Sequence, residues 1–322
     1  MADGSPRVVL IAGAGYVGGL LAESLVRDGA RVITARRQEE NLVRSTEGGS
    51  GAPGSWHGIK GDLRDPRLLE QVLRVAPIVD RVVITLSPPR SAALQSRSGD
   101  EFGDAMRGSV RLARSLHAQR VIYTSSTGVY VERAGGWVDE KSTLAGGSGL
   151  KARASDGARE STDARRRGLI EAEEIVREAR DMSSCLVRLA GIYGPGRNPL
   201  RRYLHPEKLP MSGEFWTNRV RVEDIVAALT LLMDRPDLEG VYNCSDDDPA
   251  RAIDVARWVM EERGMKWPER IPFECDDSDD AAGDRAPMRV PRSNKRVRNT
   301  LLRSLGWVPR YPSFREGMKE FL

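Results

Sequence analysis

Three glycines near the N-terminus, Gly13, Gly15 and Gly18, have the spacing G-x-G-x-x-G. They follow an unbroken apolar run, Val8 to Ala12, and precede a segment with helical periodicity. In such a strand–turn–helix context, the first glycine permits a tight turn, the second lets a diphosphate approach the backbone, and the third lets helix pack on strand. Free N–H groups and the helix dipole attract phosphate there. The pattern predicts a bound dinucleotide, contacted by Gly13, Gly15, Tyr16, Val17 and Gly18.

Two arginines follow the next predicted strand, Arg31 to Ala35. A site for NAD has a carboxylate about 20 residues after the first glycine, where it binds the ribose 2′-hydroxyl. Here Arg36 and Arg37 occupy that window, and the first acidic residue is Glu39. Guanidinium groups attract a 2′-phosphate instead. The sequence favours NADP over NAD, although two solvated loop arginines would explain the same residues.

The composition is that of a globular protein, because 40% of its 322 residues are apolar and 30% are charged. No apolar run approaches the ~20 residues of a membrane span, and the first residues lack a signal-peptide pattern. The three cysteines match no zinc spacing, so we expect reduced thiols and a cytoplasmic protein without a metal. The net charge of +4 is spread over mixed-sign stretches, which argues against nucleic-acid binding.

Strands and helices alternate along the chain and predict a Rossmann-type α/β fold with a doubly wound parallel sheet and a small C-terminal α/β lobe. We expect an NADP-binding domain over residues 1–190, with a flexible insertion at about 131–163. Residues 191–322 would mainly form the substrate-binding lobe, with 218–245 returning to the core. The predicted later strands are Trp56 to Ile59, Arg81 to Thr85, Arg120 to Ser126, Cys185 to Ala190 and Gly240 to Cys244. Helices are predicted over Glu39 to Arg44, from about Asp100 to His117 and over Val222 to Met233.

Polar or loop residues follow several of these strands, and ligands of such sheets bind beyond the carboxyl ends of the strands. Asp62 and Leu63 follow the third strand, Leu86 follows the fourth, and the fifth ends in Ser125 and Ser126. We expect these segments to meet the glycine turn in one crevice. Asp62 would either cap the helix predicted from Pro66 to Val75 or accept a hydrogen bond from an adenine amino group.

Six motifs stand in order along the chain: GAGYVG, GDLRD, YTSSTGVY, RLAGIYGPGR, NRVRVEDI and GVYNCSDD. Together they resemble the extended short-chain dehydrogenase/reductase superfamily, the NAD(P)-dependent epimerases, dehydratases and reductases. The resemblance runs from about Arg7 to the C-terminus, with a gap at about 132–163. It implies that Ser126 is the family's catalytic serine and that the loop with Ile192 and Tyr193 lies against the nicotinamide.

In this family the serine works with a Tyr-x-x-x-Lys pair on the next long helix. The lysine lowers the pKa of the tyrosine, so that the phenol can exchange a proton with a carbonyl or alcohol. The helix predicted over Asp163 to Arg180 contains neither residue, and none of the seven tyrosines is followed by lysine four places on. The chain resembles atypical members that lack the pair.

Three explanations stay open. Another acid could serve, namely Tyr130, Tyr193 or Lys141, and Tyr130 comes first because it lies four residues past Ser126. Packing of the Tyr130 phenol on the following loop would explain that residue as well. Alternatively, a substrate such as an iminium or a conjugated alkene needs little acid catalysis. In the third explanation the protein binds NADP without catalysis, as a sensor or scaffold.

The remaining polar segments have less specific interpretations. We expect residues 131–149 to form a mobile loop or lid, Arg165 to Arg167 to be a solvated helix start or a phosphate site, and Arg188 to form a structural ion pair. Asp224 should cap a helix or pair. Asp246 to Asp248 and Asp276 to Asp280 should be solvated loops, and Arg292, Lys295, Arg296 and Arg298 a solvated helix face. The candidate substrate contacts are Arg201, Arg202, Tyr203 and His205; a substrate with a carboxylate or phosphate would explain the arginines, and surface solvation would explain them as well.

These observations predict an NADP-dependent oxidoreductase that acts on a small carbonyl, imine or alcohol without the usual acid–base pair. An epimerase or dehydratase with a tightly held cofactor is the first alternative, and a non-catalytic NADP-binding protein is the second. The expected partner is a small-molecule substrate, with no nucleic acid and no membrane. The sequence leaves open whether the protein forms a homodimer.

Overall fold

A computed structural model of the chain describes residues 7–37, 54–89, 92–145, 157–200, 203–205, 213–268 and 293–322. The strands are β1 (Val8–Ala12), β2 (Arg31–Arg36), β3 (Trp56–Lys60), β4 (Arg81–Ile84), β5 (Arg120–Ser126), β6 (Trp137–Val138), β7 (Ser183–Leu189), β8 (Gly191–Tyr193), β9 (Trp216–Thr217), β10 (Arg219–Arg221), β11 (Gly240–Cys244), β12 (Ala250–Arg251) and β13 (Arg296–Val297). The helices are α1 (Tyr16–Arg27), α2 (Arg67–Val75), α3 (Ala92–Ser115), α4 (Gly157–Arg177), α5 (Val222–Asp234), α6 (Ala252–Glu262), α7 (Thr300–Ser304) and α8 (Phe314–Met318).

Seven of these strands form one parallel sheet in the order β11-β7-β5-β4-β1-β2-β3. The chain moves outward from β1 to β3 and then restarts on the other side of β1 with β4. Ligands of doubly wound sheets bind at such a switch point, beyond the carboxyl ends of the strands. The predicted α/β fold is confirmed, and β5 and β11 have the predicted bounds.

Two apolar layers cover the sheet, because the strands are buried on both faces. On one face, Val9 and Ile11 of β1 pack with α1 and α5. On the other face, Leu10 and Ala12 pack with α2, α3 and α4. The helices differ from their predicted bounds mainly at their first residues, since α3 begins at Ala92 rather than near Asp100, and α4 begins at Gly157 rather than Asp163. The helix expected over Glu39 to Arg44 lies outside the described residues.

The C-terminal lobe has its own apolar cluster, in which α6 and α8 pack on residues that follow β8. Phe314 is fully buried there and meets Trp258 edge to face, with 5.3 Å between ring centroids. The short parallel pair β8–β10 and the antiparallel pair β9–β12 lie beside this lobe. Among the described helices, none has the length and apolarity that a membrane crossing requires.

A third short sheet corrects two predictions. Residues 137–138, expected in a mobile loop, form β6, which pairs in parallel with β13. Arg296, expected on a solvated helix face, lies in β13 with its guanidinium carbon 4.9 Å from the ring centroids of both Trp137 and Trp216. Stacking on two aromatic faces holds the guanidinium between them. This pairing joins the segment after β5 to the C-terminal segment of the chain.

Candidate active site

The glycine turn between β1 and α1 has the geometry that its sequence predicts. Gly13 has a φ of +87°, and a Cβ there would lie 2.6 Å from Cδ2 of Leu86. A Cβ on Gly18 would lie 2.7 Å from Oγ1 of Thr85 and 3.0 Å from Cγ2 of Ile11. Thr85 also donates a hydrogen bond to the Gly13 carbonyl at 2.6 Å. Gly13 is therefore needed for the turn, and Gly18 for the close approach of α1 to the sheet.

Gly15 has a different environment, because its side-chain position faces open space. The nearest atom to a Cβ on Gly15 would be the Gly13 carbonyl oxygen at 3.8 Å, and its φ of −85° is one that any residue adopts. No side chain caps α1, and its first turn contains no acidic residue. A helix N-terminus that is uncapped and free of negative charge fits a diphosphate. The residues present therefore fit the dinucleotide that the turn predicts.

The two other predicted residues of this turn differ in exposure. The Tyr16 ring is half-buried, and its hydroxyl donates to the Pro195 carbonyl at 2.9 Å. This bond ties the start of α1 to the loop after β8. Val17 is 9% exposed and packs into the core, so its side chain is structural.

Leu86 is half-buried against Gly13, and Ile192, at the centre of β8, is half-buried as well. The predicted turn and loop thus lie at the same edge of the sheet.

The carboxyl ends of β2 and β3 carry mostly positive charge. Arg36 is half-buried at the end of β2, and Arg37 is exposed. Asp62 receives three hydrogen bonds from Arg64, at 2.7 to 3.0 Å, and these bonds lower the pKa of its carboxyl, with a smaller contribution from Arg37. Asp62 does not cap α2, since that helix begins at Arg67. Its carboxylate is held by Arg64, and the side chain of Leu63 belongs to the core.

Ser126 ends β5 and is half-buried beside the crevice. Its Oγ accepts a hydrogen bond from Gly128 N–H at 3.1 Å, which caps the short 3₁₀ turn that follows. A serine hydroxyl can accept and donate at the same time. Among the described residues, no acceptor receives the Ser126 hydroxyl proton. That proton can therefore be donated to a bound oxygen or nitrogen atom.

Ser125 does not point into the crevice, which corrects its assignment to the cofactor site. It is 4% exposed, and its hydroxyl donates to Glu173 of α4 at 2.7 Å. Glu173 also accepts a two-pronged ion pair from Arg188, at 2.9 and 2.7 Å, with both side chains at most 1% exposed. The predicted structural role of Arg188 is confirmed.

Tyr130 belongs to the same buried network, and this corrects its prediction as the substitute acid. Its hydroxyl donates to Oδ1 of Asn243 at 2.7 Å and accepts from Arg188 at 3.0 Å, and the residue has no exposed surface. Burial raises the pKa of its phenol above the ordinary value, more than Arg188 lowers it. A sealed phenol with both hydrogen-bonding functions engaged cannot exchange a proton with a ligand, so its role is structural.

Of the two other candidate acids, one is buried and the other is exposed. Tyr193 is 3% exposed, and a Cβ on Gly317 would collide with its hydroxyl, so its ring points into the C-terminal lobe. Burial raises the pKa of the Tyr193 phenol as well. Lys141 lies in an exposed turn. Of the predicted substrate contacts, Tyr203 is buried and His205 is exposed, whereas Arg201 and Arg202 lie outside the described residues.

Arginines of α4, in place of a tyrosine and a lysine, approach the end of β5. Arg166 is 6% exposed and donates to the Gly128 carbonyl at 2.8 Å, so it is not part of a solvated helix start. Arg165 donates to the Pro88 carbonyl in the loop after β4. Both guanidinium groups therefore donate hydrogen bonds to backbone carbonyls, Arg166 in the segment after β5 and Arg165 in the loop after β4.

Lys295 is a buried cation that the sequence did not reveal. It is 2% exposed, its Nζ donates to Oγ of Ser293 at 2.9 Å, and burial together with Arg166 and Arg133 lowers its pKa to about 8. Lys295 directly precedes β13, and like Val297, which packs in one cluster with Tyr130, it is buried. In the sequence, the one sign of this burial is the alternation of Lys295 with Val297, and a run dominated by basic residues otherwise predicts a solvated helix.

The acidic loop after β11 is not fully solvated, which corrects a further prediction. Asp246 is 1% exposed, and burial raises the pKa of its carboxyl. Asp247 and Asp248 form ion pairs with Arg303 and Arg315, at 2.9 and 3.1 Å. Asp224 is also structural, as expected, because it accepts hydrogen bonds from the N–H groups of residues 310 and 311. Asp276 to Asp280 lie outside the described residues.

The parallel sheet, the switch point and the glycine turn define the Rossmann class of α/β proteins. Within that class, residues 9–245 match the sequence profile of the NAD dependent epimerase/dehydratase family. The chain is also 32% identical over 253 residues to Protein YeeZ of Escherichia coli K12, covering 77% of this chain and 81% of YeeZ. The chain therefore belongs to the NAD dependent epimerase/dehydratase family.

Solved structures share the whole architecture. A functionally unknown conserved protein from Silicibacter pomeroyi DSS is 26% identical, with a TM-score of 0.66, over 98% of this chain and 97% of the other. UDP-glucose 4-epimerase of Thermotoga maritima, solved with UDP-glucose, has a TM-score of 0.69 at 17% identity over 97% and 96%. WbmG of Bordetella bronchiseptica, solved with NAD, has a TM-score of 0.70 at 15% identity over 99% and 94%. At these last two identities, the likeness supports the fold alone.

Proposed function

We propose that the protein is an NADP-dependent oxidoreductase for a small carbonyl, imine or alcohol substrate. The observation that carries this proposal is the open, uncapped glycine turn at Gly15, on the same edge of the sheet as the half-buried Ser126. A bound nicotinamide supplies or accepts the hydride. The chain's own part is to bind the diphosphate at α1 and to orient the reacting oxygen or nitrogen through the Ser126 hydroxyl.

A turnover screen with NADPH and panels of carbonyl and imine compounds tests the reaction. We expect ligand-dependent loss of NADPH absorbance, and a decrease in kcat of about 10²-fold in Ser126→Ala, since positioned proton donors contribute on that scale. Ser304→Ala, which changes an exposed serine at the end of α7, is the control and should keep full activity. Full activity in Ser126→Ala would contradict the role of this serine.

NADP rather than NAD is proposed from the charges at the ends of β2 and β3. Arg36 and Arg37 supply positive charge, and the nearby Asp62 carboxylate is bound by Arg64, so it is a poor acceptor for a ribose hydroxyl. Arg37→Ala should weaken NADPH binding by about tenfold and leave NADH binding nearly unchanged, since a guanidinium–phosphate contact is worth about 1.4 kcal/mol or more. Arg180→Ala, at an exposed position, is the matched control. Tighter binding of NADH than NADPH by the unmodified protein would contradict the preference.

Two observations favour alternative functions, one for each alternative. Membership of the family favours an epimerase or dehydratase, and isolation of the protein with near-stoichiometric nicotinamide would support that function. The lack of tyrosine and lysine in α4 favours a non-catalytic NADP-binding protein. NADPH binding without turnover across the whole panel would support that second alternative.

A further inference from the structure

The buried ammonium of Lys295 has no counter-ion among the described residues. Its one hydrogen bond goes to the neutral Ser293 hydroxyl, and no described carboxylate lies within ion-pair distance of Nζ. Buried charges in proteins are normally paired with an opposite charge or with a ligand. Within the described part of the chain, the surroundings of Lys295 therefore lack one negative charge.

Two further cations face Lys295. Arg166 is 6% exposed, and Arg133 is exposed at the rim, where Asp163 pairs with both arginines, at 3.0 and 3.5 Å. Both arginines lower the pKa of Lys295, and Glu132 is the one carboxylate that raises it. The Oε1 atom of Glu132 accepts hydrogen bonds from the N–H groups of residues 134 and 136. This group therefore contains three cations and only two described carboxylates, and both carboxylates already have partners.

This group of cations lies beside the proposed reaction centre. The Gly128 carbonyl accepts from Arg166 while the Gly128 N–H donates to Ser126. On the other side, the Lys295 carbonyl accepts from the Asn218 side chain, and the Asn218 carbonyl accepts from the N–H of Gly191 at the start of β8. Hydrogen bonds through Gly128 and Asn218 therefore connect this group to Ser126 and to the start of β8.

The phosphates of the dinucleotide do not account for these cations. The glycine turn follows β1 and the arginines proposed for a 2′-phosphate follow β2, whereas Ser126 ends β5. In the sheet order, β5 and β2 are separated by β4 and β1. Neighbouring strands are about 4.8 Å apart, so the ends of β5 and β2 are separated by roughly 14 Å.

We propose that Lys295, Arg166 and Arg133 form a subsite for an oxyanion of the substrate, a carboxylate or a phosphate. Lys295 and Arg166 are its buried floor, and Arg133 is its exposed rim. The anion would supply the missing charge and place the neighbouring carbon of the substrate at Ser126. This subsite rests on the proposed function, since it names the class of substrate: a carbonyl, imine or alcohol that carries an acidic group.

The protonation of Lys295 provides a direct test on the full-length protein saturated with NADPH. Its ¹³Cε resonance, identified by its loss in Lys295→Met, is followed against pH with inorganic phosphate, with malonate, and with NaCl at equal ionic strength. We expect a midpoint near pH 8 in NaCl and a midpoint of about pH 9 or above with the bound anion, because a nearby negative charge favours the ammonium. The anion that acts at the lower concentration identifies the group as phosphate or carboxylate.

Calorimetry with the same anions completes the test. Lys295→Met should bind the preferred anion at least about tenfold more weakly, which corresponds to a change of one in the pKa of Lys295, whereas the exposed Lys141→Met should bind it unchanged. A midpoint that phosphate and malonate move no further than NaCl, or unchanged anion affinity in Lys295→Met, would overturn the subsite. NADPH titrations of the unmodified protein and of Lys295→Met report separately on the cofactor. Absence of NADPH binding would refute the proposed function, whereas the anion titration without NADPH would still decide the subsite.

Discussion

At the scale of single residues, Lys295 lowers the stability of the folded chain at neutral pH. Its pKa is about 8 in the folded state, against 10.5 for an unperturbed lysine. The unfolded chain binds this proton more tightly, so the stability cost is complete below pH 8 and disappears as the pH rises from 8 to 10.5. The cost is on the order of 3 kcal/mol. A destabilising buried cation without a counter-ion among the described residues is what a ligand-binding role would explain.

Lys295→Met should therefore be more stable than the unmodified protein by about 2 to 3 kcal/mol at pH 7, since methionine removes the buried charge and keeps the length of the side chain. The gain should shrink between pH 8 and 10.5. Urea unfolding at several pH values measures it, with Lys141→Met as the exposed control. Equal stability of Lys295→Met and the unmodified protein would show that the carboxylate of Glu132 already balances the charge.

Tyr130→Phe distinguishes a structural phenol from a catalytic one. The substitution leaves Oδ1 of Asn243 without its donor and one Arg188 N–H without its acceptor. Buried unsatisfied groups of this kind cost about 1 to 3 kcal/mol, so the midpoint of urea unfolding should fall while kcat stays unchanged. Tyr242→Phe, which loses one bond to a backbone carbonyl, should cost less. A large loss of kcat at unchanged stability would restore Tyr130 as the acid.

The roles of single residues could be predicted where they depend on near neighbours in sequence. Gly13 and Gly18 have the predicted roles because the strand, turn and helix around them are contiguous. The roles of Tyr130 and Lys295 could not be predicted, because they depend on distant segments. The Tyr130 hydroxyl meets Asn243, 113 residues away, and the pKa of Lys295 depends on arginines from two distant segments.

At the scale of elements, the packing of α1 on β1 can be tested with two adjacent glycines. A methyl on Gly18 would lie 2.7 Å from Thr85 and 3.0 Å from Ile11, whereas a methyl on Gly19 would meet nothing within 4 Å. Gly18→Ala should cost about 1 to 3 kcal/mol, because it overpacks the helix–strand interface, and it should weaken NADPH binding by displacing the helix N-terminus. Gly19→Ala should instead add up to about 1 kcal/mol, as alanine favours a helix.

Thermal unfolding and NADPH titration of these two variants provide the measurement. Equal stability of Gly18→Ala and Gly19→Ala would contradict the close contact between α1 and the sheet.

The elements themselves followed from the sequence when hydrophobic periodicity was strong. The strands β5 and β11 and the helix α5 agree closely with their predicted bounds, because each is an apolar run or an amphipathic repeat. The two-residue strands β6 and β13 have no such signal, and their pairing depends on the stacking of Arg296 between Trp137 and Trp216. Tertiary contacts of this kind leave no local pattern.

At the scale of the whole molecule, the sheet brings four separate segments to one edge. The glycine turn, the arginines at the end of β2, the loop after β4 and Ser126 all lie at carboxyl ends of its strands. The loop after β8, which belongs to a separate pair of strands, is tied to this edge by the hydrogen bond from Tyr16 to Pro195. The convergence of the four segments was predictable, because it follows from parallel topology alone. The anionic subsite was not, since it also needs the C-terminal segment with Lys295 to pair with β6. The cofactor is thus proposed from topology, and the substrate class from long-range packing.

The central claim is that the open face of Gly15 receives the diphosphate of NADP(H), and calorimetric titration with NADPH tests it most directly. Gly15→Ala has no neighbour closer than 3.8 Å to the new methyl group, but its ψ of −146° lies outside the main β region, so its stability should fall by about 1 to 2 kcal/mol. The methyl group would occupy the space of the diphosphate, so NADPH binding should weaken by about tenfold or more. An unmodified protein that binds no NADPH, or a Gly15→Ala variant that binds it as tightly as the unmodified protein, would contradict the claim.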